Sequence, residues 1–406
     1  MQNGLRVHWR CLIVKSKQKP QIQFPDFKDG WQNYKLGEVY TERKEKGKDS
    51  LPILSVSIHK GVSDEELDTD ALGKSVLRSE DKSLYKHVFP GDLVLNMMRA
   101  WQGAFGVVKL EGMVSPAYIT AIPSNQIFPL FMDYCLHRDE MIAQINNLSY
   151  GVTDFRKRLY WKSFINVSCH IPSVSEQKKV TSFFTKLDKS ISIHQQELTT
   201  LKQTKRGFLQ KMFPKEGTSL PEIRFSGFSG PWEQHKLGQV ANITMGQSPN
   251  GENYTENPND YILVQGNADI KNGWVAPRVW TTQVTKSADK GDIILSVRAP
   301  VGDVGKTQFD VVLGRGVAGI KGNEFIFQSL CKMKSNGFWT KYSTGSTFES
   351  INSNDLKEAI ISVPGELEQI KIGEFFKQLD ETITLHQREL DSLKKTRIAF
   401  LQKMFA

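Results

Sequence analysis

The chain has 406 residues, 39% hydrophobic and 24% charged, a balance that suits two or three folded domains and excludes a fibrous or wholly disordered protein. No apolar run approaches the roughly 18 residues of a membrane helix. The cysteines, Cys11, Cys135, Cys169 and Cys331, have neither zinc-ligand nor disulfide-framework spacing, so a cytoplasmic, metal-free chain is expected.

The formal net charge of +9 is unevenly held. Residues 1–24 carry five bases and no acid, residues 25–172 carry 18 bases against 19 acids, residues 173–213 eight against three, and residues 214–406 22 against 22. Most of the chain is therefore neutral, and any phosphate-binding surface must come from local clustering.

In chain order, Met1–Phe24 is a basic arm. Its apolar stretch Leu12-Ile13-Val14 is too short for a signal peptide, and the arm is expected to be disordered. Residues 25–172 form a first module of mixed strands and helices, with strand-like runs at 51–58 and 92–97, ending at Pro172. A long helix occupies residues 173–213, opened by a capping box at Ser173 and Glu176. A linker over 214–230 leads to a second module at 231–364, with strand-like runs at 262–265 and 292–297. A second long helix fills 365–406, with Gly365 and Glu368 as a weaker start.

The chain repeats itself. Residues 183–213 and 375–405 are identical at 18 of 31 positions at an offset of 192. Upstream, Phe24–Leu36 parallels Phe225–Leu237, with Trp31 matching Trp232. Gly91–Leu95 parallels Gly291–Leu295, and an Arg-Ala pair follows each, at Arg99 and Arg298. Between these landmarks the halves differ almost completely, as two copies of one device aimed at different targets would.

The helices carry a 4-3 apolar step: Leu187, Ile191, His194, Leu198, Leu201, Lys205, Phe208 and Met212 in the first, and Leu379, Ile383, His386, Leu390, Leu393, Arg397, Phe400 and Met404 in the second. That is a coiled-coil seam, and the chain contains its own partner for it. The polar seam members His194, Lys205, His386 and Arg397 are expected to fix register rather than to perform chemistry.

Gly314-Arg315-Gly316-Val317-Ala318-Gly319 matches a dinucleotide-loop spacing, but the residues after it make a poor helix start, and close backbone approach is the preferred reading. Pro25-Asp26 with Glu42-Arg43-Lys44 formally resembles a nuclease arrangement, yet the second copy has Ser226-Gly227 in place of Pro25-Asp26. A stand-alone nuclease or methyltransferase is the catalytic rival to a chain that performs no reaction of its own.

The module openings, the Gly-Asp-Leu/Ile strands followed by arginine, and the duplicated FF-x-x-L-D…H-Q-x-E-L…F-L-Q-K-M-F helices together resemble the specificity subunits of type I restriction–modification systems, over about residues 20–406. The resemblance implies a mixed α/β fold: two target-recognition domains joined by two long antiparallel helices that form a coiled coil, with an internal pseudo-two-fold repeat. It implies that each module reads one half of a split, asymmetric site in double-stranded DNA. It further implies that the helices dock two methyltransferase subunits, with restriction–translocase subunits completing the assembly. No cofactor is expected on this chain; S-adenosylmethionine, ATP and Mg²⁺ would sit on those partners, and no membrane is involved. The alternative is a non-DNA scaffold with two ligand modules on a coiled-coil spacer.

Base reading needs Arg, Lys, Asn or Gln at groove edges, with cations on phosphates. The candidates are Arg99, Trp101, Gln102, Tyr150, Thr153, Arg156, Lys157 and Arg158 in the first module, and Arg298, Arg315, Thr344, Ser346 and Thr347 in the second. A structural role competes at each position.

Overall fold

The computed structural model describes residues 17–48, 50–58, 61–63, 83–151, 157–342 and 350–406. They form two compact units, Met1–Ser192 with Asp391–Ala406, and Ile193–Leu390. The division cuts through both long helices, Val174–Lys211 and Glu366–Lys403, each of 38 residues, instead of falling where the sequence separates modules from helices. The reason is packing. The first core takes Val180 and Phe184 from one helix and Met404 and Phe405 from just beyond the end of the other. The second core takes Leu209, Met212 and Phe213 together with Ile372 and Phe376.

Both units use the same frame. In the first, a four-stranded antiparallel sheet runs Tyr40–Glu42, Tyr118–Pro123, Leu93–Asn96, Phe105–Val107. The second unit repeats the order as Asn242–Met245, Val317–Lys321, Ile293–Ser296, Val304–Lys306, and adds Trp274–Val275 and Ile270–Lys271. Leu93–Asn96 and Ile293–Ser296 are buried throughout, because each lies between two neighbours with both faces covered. Strand Trp31–Lys35 pairs with Ser168–Ile171, and Glu233–Lys236 pairs with Ile360–Val363. Trp31 and Trp232, 1% and 3% exposed, anchor the two cores. Trp31 packs edge-on to Phe131 and Phe405, and Trp232 to Phe325 and Phe213. Truncating either to alanine should cost about 3–5 kcal/mol.

The basic arm is shorter than its composition suggests. Lys17–Gln18 pairs with Trp31 and Gln32, and the Ile22 N–H donates to the Lys403 carbonyl at 2.9 Å. Ile223 donates to Lys211 at the same distance in the other unit. The repeat therefore starts upstream of Phe24, in the parallel between Pro20-x-Ile22-x-Phe24 and Pro221-x-Ile223-x-Phe225.

Ser173 caps the first long helix, its Oγ accepting the Glu176 N–H at 3.3 Å. The return half of the expected capping box is not made. The buried Glu176 carboxylate instead accepts Trp31 Nε1 at 3.1 Å and Gln23 Nε2 at 2.9 Å.

Within each unit the helix segments run antiparallel. In the first unit, Phe183 meets Phe400, and Arg397 Nε donates to Asp188 at 2.5 Å. In the second, His194 faces His386 with ring centroids 6.4 Å apart, and Lys205 Nζ reaches both Asp380 oxygens at 2.6 and 2.8 Å. Leu187, Ile191, His194, Leu198, Leu201, Lys205, Phe208 and Met212 are all buried or half-buried. So are Leu379, Ile383, His386, Leu390, Leu393, Arg397, Phe400 and Met404.

Candidate nucleic-acid interface

In the first unit the buried strand Leu93–Asn96 ends in a tight turn that sets the direction of every following side chain. The Asn96 Oδ1 accepts the Met98 N–H at 3.0 Å, and the Asn96 carbonyl accepts the Arg99 N–H at 3.0 Å. The Trp101 indole N–H closes back onto the Met98 carbonyl at 2.9 Å. Gly103 completes the turn at φ +92°, a left-handed conformation suited to glycine. Arg99 and Gln102 are exposed on this turn, while Trp101 is half-buried.

A second segment docks beside it. The Leu159 N–H donates to the Met97 carbonyl at 2.8 Å. Tyr150 and Arg158 exchange backbone hydrogen bonds at 3.0 Å. Tyr150, 58% exposed, stacks on Tyr160 with centroids 4.9 Å apart. Lys157 holds its ammonium 5.7 Å from the Trp101 ring and donates to Asn146 Oδ1, so it serves as a strut. The structure thus gathers Arg99, Trp101, Gln102, Tyr150, Lys157 and Arg158 at one end of this unit.

The second unit builds the matching edge with different residues. The Ile351 N–H donates to the Val297 carbonyl at 2.9 Å, the counterpart of Leu159 to Met97. The Val297 N–H donates in turn to the Gly316 carbonyl at 2.9 Å, which brings the turn carrying Arg315 beside Arg298. Gly314-Arg315-Gly316 is a close-approach turn: a Cβ on Gly316 would lie 2.1 Å from the Gln265 carbonyl oxygen. It runs into strand Val317–Lys321 where a dinucleotide loop would open a helix. Arg99, Arg158, Arg298 and Arg315 are exposed, and none is in an ion pair among the described residues. Arg224 and Arg278, by contrast, are held by Glu368 and Asp269.

Thr153 and Arg156, and Thr344, Ser346 and Thr347, lie outside the described residues. Two residues escaped the sequence reading. Tyr160 follows the docking residue Leu159 without any repeat signal. Met98 was hidden by the alignment: the docking hydrogen bonds pair Met97 with Val297, so the counterpart of Arg298 is Met98, and Arg99 stands one residue further on.

The cysteines are less scattered in space than in sequence. Cys135 and Cys169 share the first core, where the Cys169 thiol donates to Cys135 and holds it down at about 7, while Cys169 itself is pushed up. Among the described residues, no helix is long and apolar enough to cross a membrane.

Residues 230–395 match the family of the type I restriction modification DNA specificity domain. The putative type I restriction enzyme MjaX specificity subunit of Methanocaldococcus jannaschii is 26% identical over 95% of both chains. The type I restriction enzyme MjaVIII specificity subunit of the same organism is 21% identical over 82% of this chain and 85% of its own. The type I restriction–modification S subunit from M. genitalium shares the fold at a TM-score of 0.62, with 13% identity, over 96% of this chain and 99% of its own. A chain from the structure of a type I system, solved to explain complex assembly and conformational transition, aligns at a TM-score of 0.55 with 23% identity, covering 95% of this chain and 98% of its own. The duplicated frame, the long helices and relatives that align over almost the whole chain agree in likening it to the specificity subunits of type I restriction–modification systems.

Proposed function

We propose that each unit carries a module reading one half of a split, asymmetric site in double-stranded DNA. In this reading the two long helices set the gap between the halves and dock two methyltransferase subunits. The observation that carries it is one hydrogen-bonded edge built twice with different side chains: Met98, Arg99 and Tyr150 in one module, Arg298 and Arg315 in the other. A common frame with exchanged readers is what two unrelated half-sites require, since base contacts specify while phosphate contacts position.

Because the modules are near neutral, most phosphate affinity would belong to the assembled complex. This chain supplies the choice of sequence and no chemistry. S-adenosylmethionine would sit on the methyltransferase subunits, ATP and Mg²⁺ on restriction–translocase subunits, and the assembly would work on DNA in the cytoplasm. The relatives named as specificity subunits of type I restriction enzymes support this division of labour.

The test is methylation mapping in cells carrying the chain with its methyltransferase partner. The expected result is a two-part asymmetric motif with a fixed gap. A chain that purifies without a methyltransferase and shows no salt-sensitive duplex binding would be the two-ligand scaffold instead. Inserting four residues into both helices lengthens each by about 6 Å, nearly two base-pair steps at about 3.4 Å. The gap should then grow; an unchanged gap removes the spacing role from the helices.

A further inference from the structure

Met98 is an exposed apolar side chain among cations, aromatic rings and the amide of Gln102. Its predecessor Met97 packs against the first core, and Met98 points the other way, 43% exposed. The backbone beneath it has little freedom. Its N–H is held by Asn96, itself only 9% exposed, and its carbonyl by the Trp101 indole. Lys157 in turn braces Trp101 from the neighbouring segment. A single exposed methionine needs no explanation on an ordinary surface. One fixed on both sides of its peptide, beside the exposed Arg99 and on the turn to which the Tyr160 segment is hydrogen-bonded through Leu159 and Met97, is a different case.

We propose that Met98 is a wedge that enters the base stack of the half-site read by the first module, opening one base step while Arg99 and Arg158 hold the flanking phosphates. The proposal rests on the DNA-reading assignment above. Proteins that kink duplexes insert apolar side chains, methionine among them, between base steps and flank them with cations. The rigid turn matters because a side chain that must part stacked bases cannot yield itself, and a pre-set pose leaves less freedom to lose on binding. The thioether is polarisable and lies well against aromatic faces. The second module carries Arg298 at the corresponding position, a cation in place of the apolar side chain. The two half-sites would therefore be read differently: the first partly through the ease of opening one step, the second through direct contact.

Once mapping has defined the half-sites, the assembled complex is bound to duplexes carrying 2-aminopurine at each position of the first half-site in turn. Wild type should show a fluorescence rise at one step besides any at the methylated adenine, which a partner methyltransferase would extrude. Met98→Ala should abolish the first rise, keep the second, and weaken binding about tenfold. Met98→Leu should restore both affinity and signal. A fluorescence profile identical in wild type and Met98→Ala overturns the wedge while leaving DNA reading intact. No sequence-dependent binding by the wild-type complex overturns the reading itself and the wedge with it.

Discussion

Glu176 and Glu368 stand at the same repeat position, both buried at the start of a long helix, and their surroundings share almost no chemistry. Glu176 accepts from two neutral groups, Trp31 Nε1 and Gln23 Nε2. Glu368 forms a two-pronged pair with Arg224, at 2.7 Å from both Nε and Nη2. Arg224 is the repeat counterpart of Gln23, so one exchange in the upstream strap converts a neutral cradle into an ion pair. The Trp232 indole N–H is then left without a partner among the described residues, whereas that of Trp31 is satisfied. The lesson is that the two units keep positions and replace interactions, in the cores as well as at the edges.

The comparison breaks hardest at the glutamates. Glu368→Gln leaves the Arg224 guanidinium, only 16% exposed, without its counter-charge, and should destabilise the second unit by about 3–5 kcal/mol. Glu176→Gln keeps an acceptor for both donors, and should cost less than about 1 kcal/mol. At roughly 2–4 °C per kcal/mol, thermal unfolding separates the two by several degrees. Equal shifts would mean that the charge on Glu368 contributes nothing special.

A smaller contrast follows at the tryptophans. Trp31→Phe removes a hydrogen bond to a buried carboxylate and should cost about 1–3 kcal/mol beyond the lost ring area. Trp232→Phe removes an indole N–H that no described group accepts, and only the area should be lost. Thermal unfolding of the two variants side by side is the measurement. A larger loss at Trp232 would show that its N–H is satisfied after all.

How much of this was legible beforehand depended on whether a feature had a period. The seam had one, and Lys205 and Arg397 were visible as its polar members. Their partners Asp380 and Asp188 were not, because a cross-helix ion pair leaves no mark in the spacing of either helix. The same aspartates also accept from their own modules, Asp188 from the Tyr134 hydroxyl and Asp380 from Gln328 Nε2, each at 2.8 Å. Nothing in sequence links a tyrosine to a glutamine as counterparts; only the shared geometry does. The arm shows the opposite failure. Its basic composition points to disorder, while the short apolar steps Pro20, Ile22 and Phe24 match the second copy. At the edge, the exposed arginines were legible as residue types, but pairing Arg99 with Arg298 was off by one residue, since the loop beside them carries no repeat.

That one-residue shift sets up the smallest effect and the most informative one. If Arg298 and Arg315 read bases directly, replacing either with alanine should broaden the methylated motif at one position of the second half-site, with about 1–3 kcal/mol of discrimination lost. If Arg99 and Arg158 hold phosphates, their alanine variants should leave the motif unchanged and lower the slope of log K against log salt by about 0.9 each. Motif breadth and salt slope are independent readouts, so each arginine falls on one side or the other. Four arginines that all change only the slope would mean that neither edge reads bases by direct contact. The choice of sequence would then have to reside in the segments those edges support, or in how readily the DNA deforms against them.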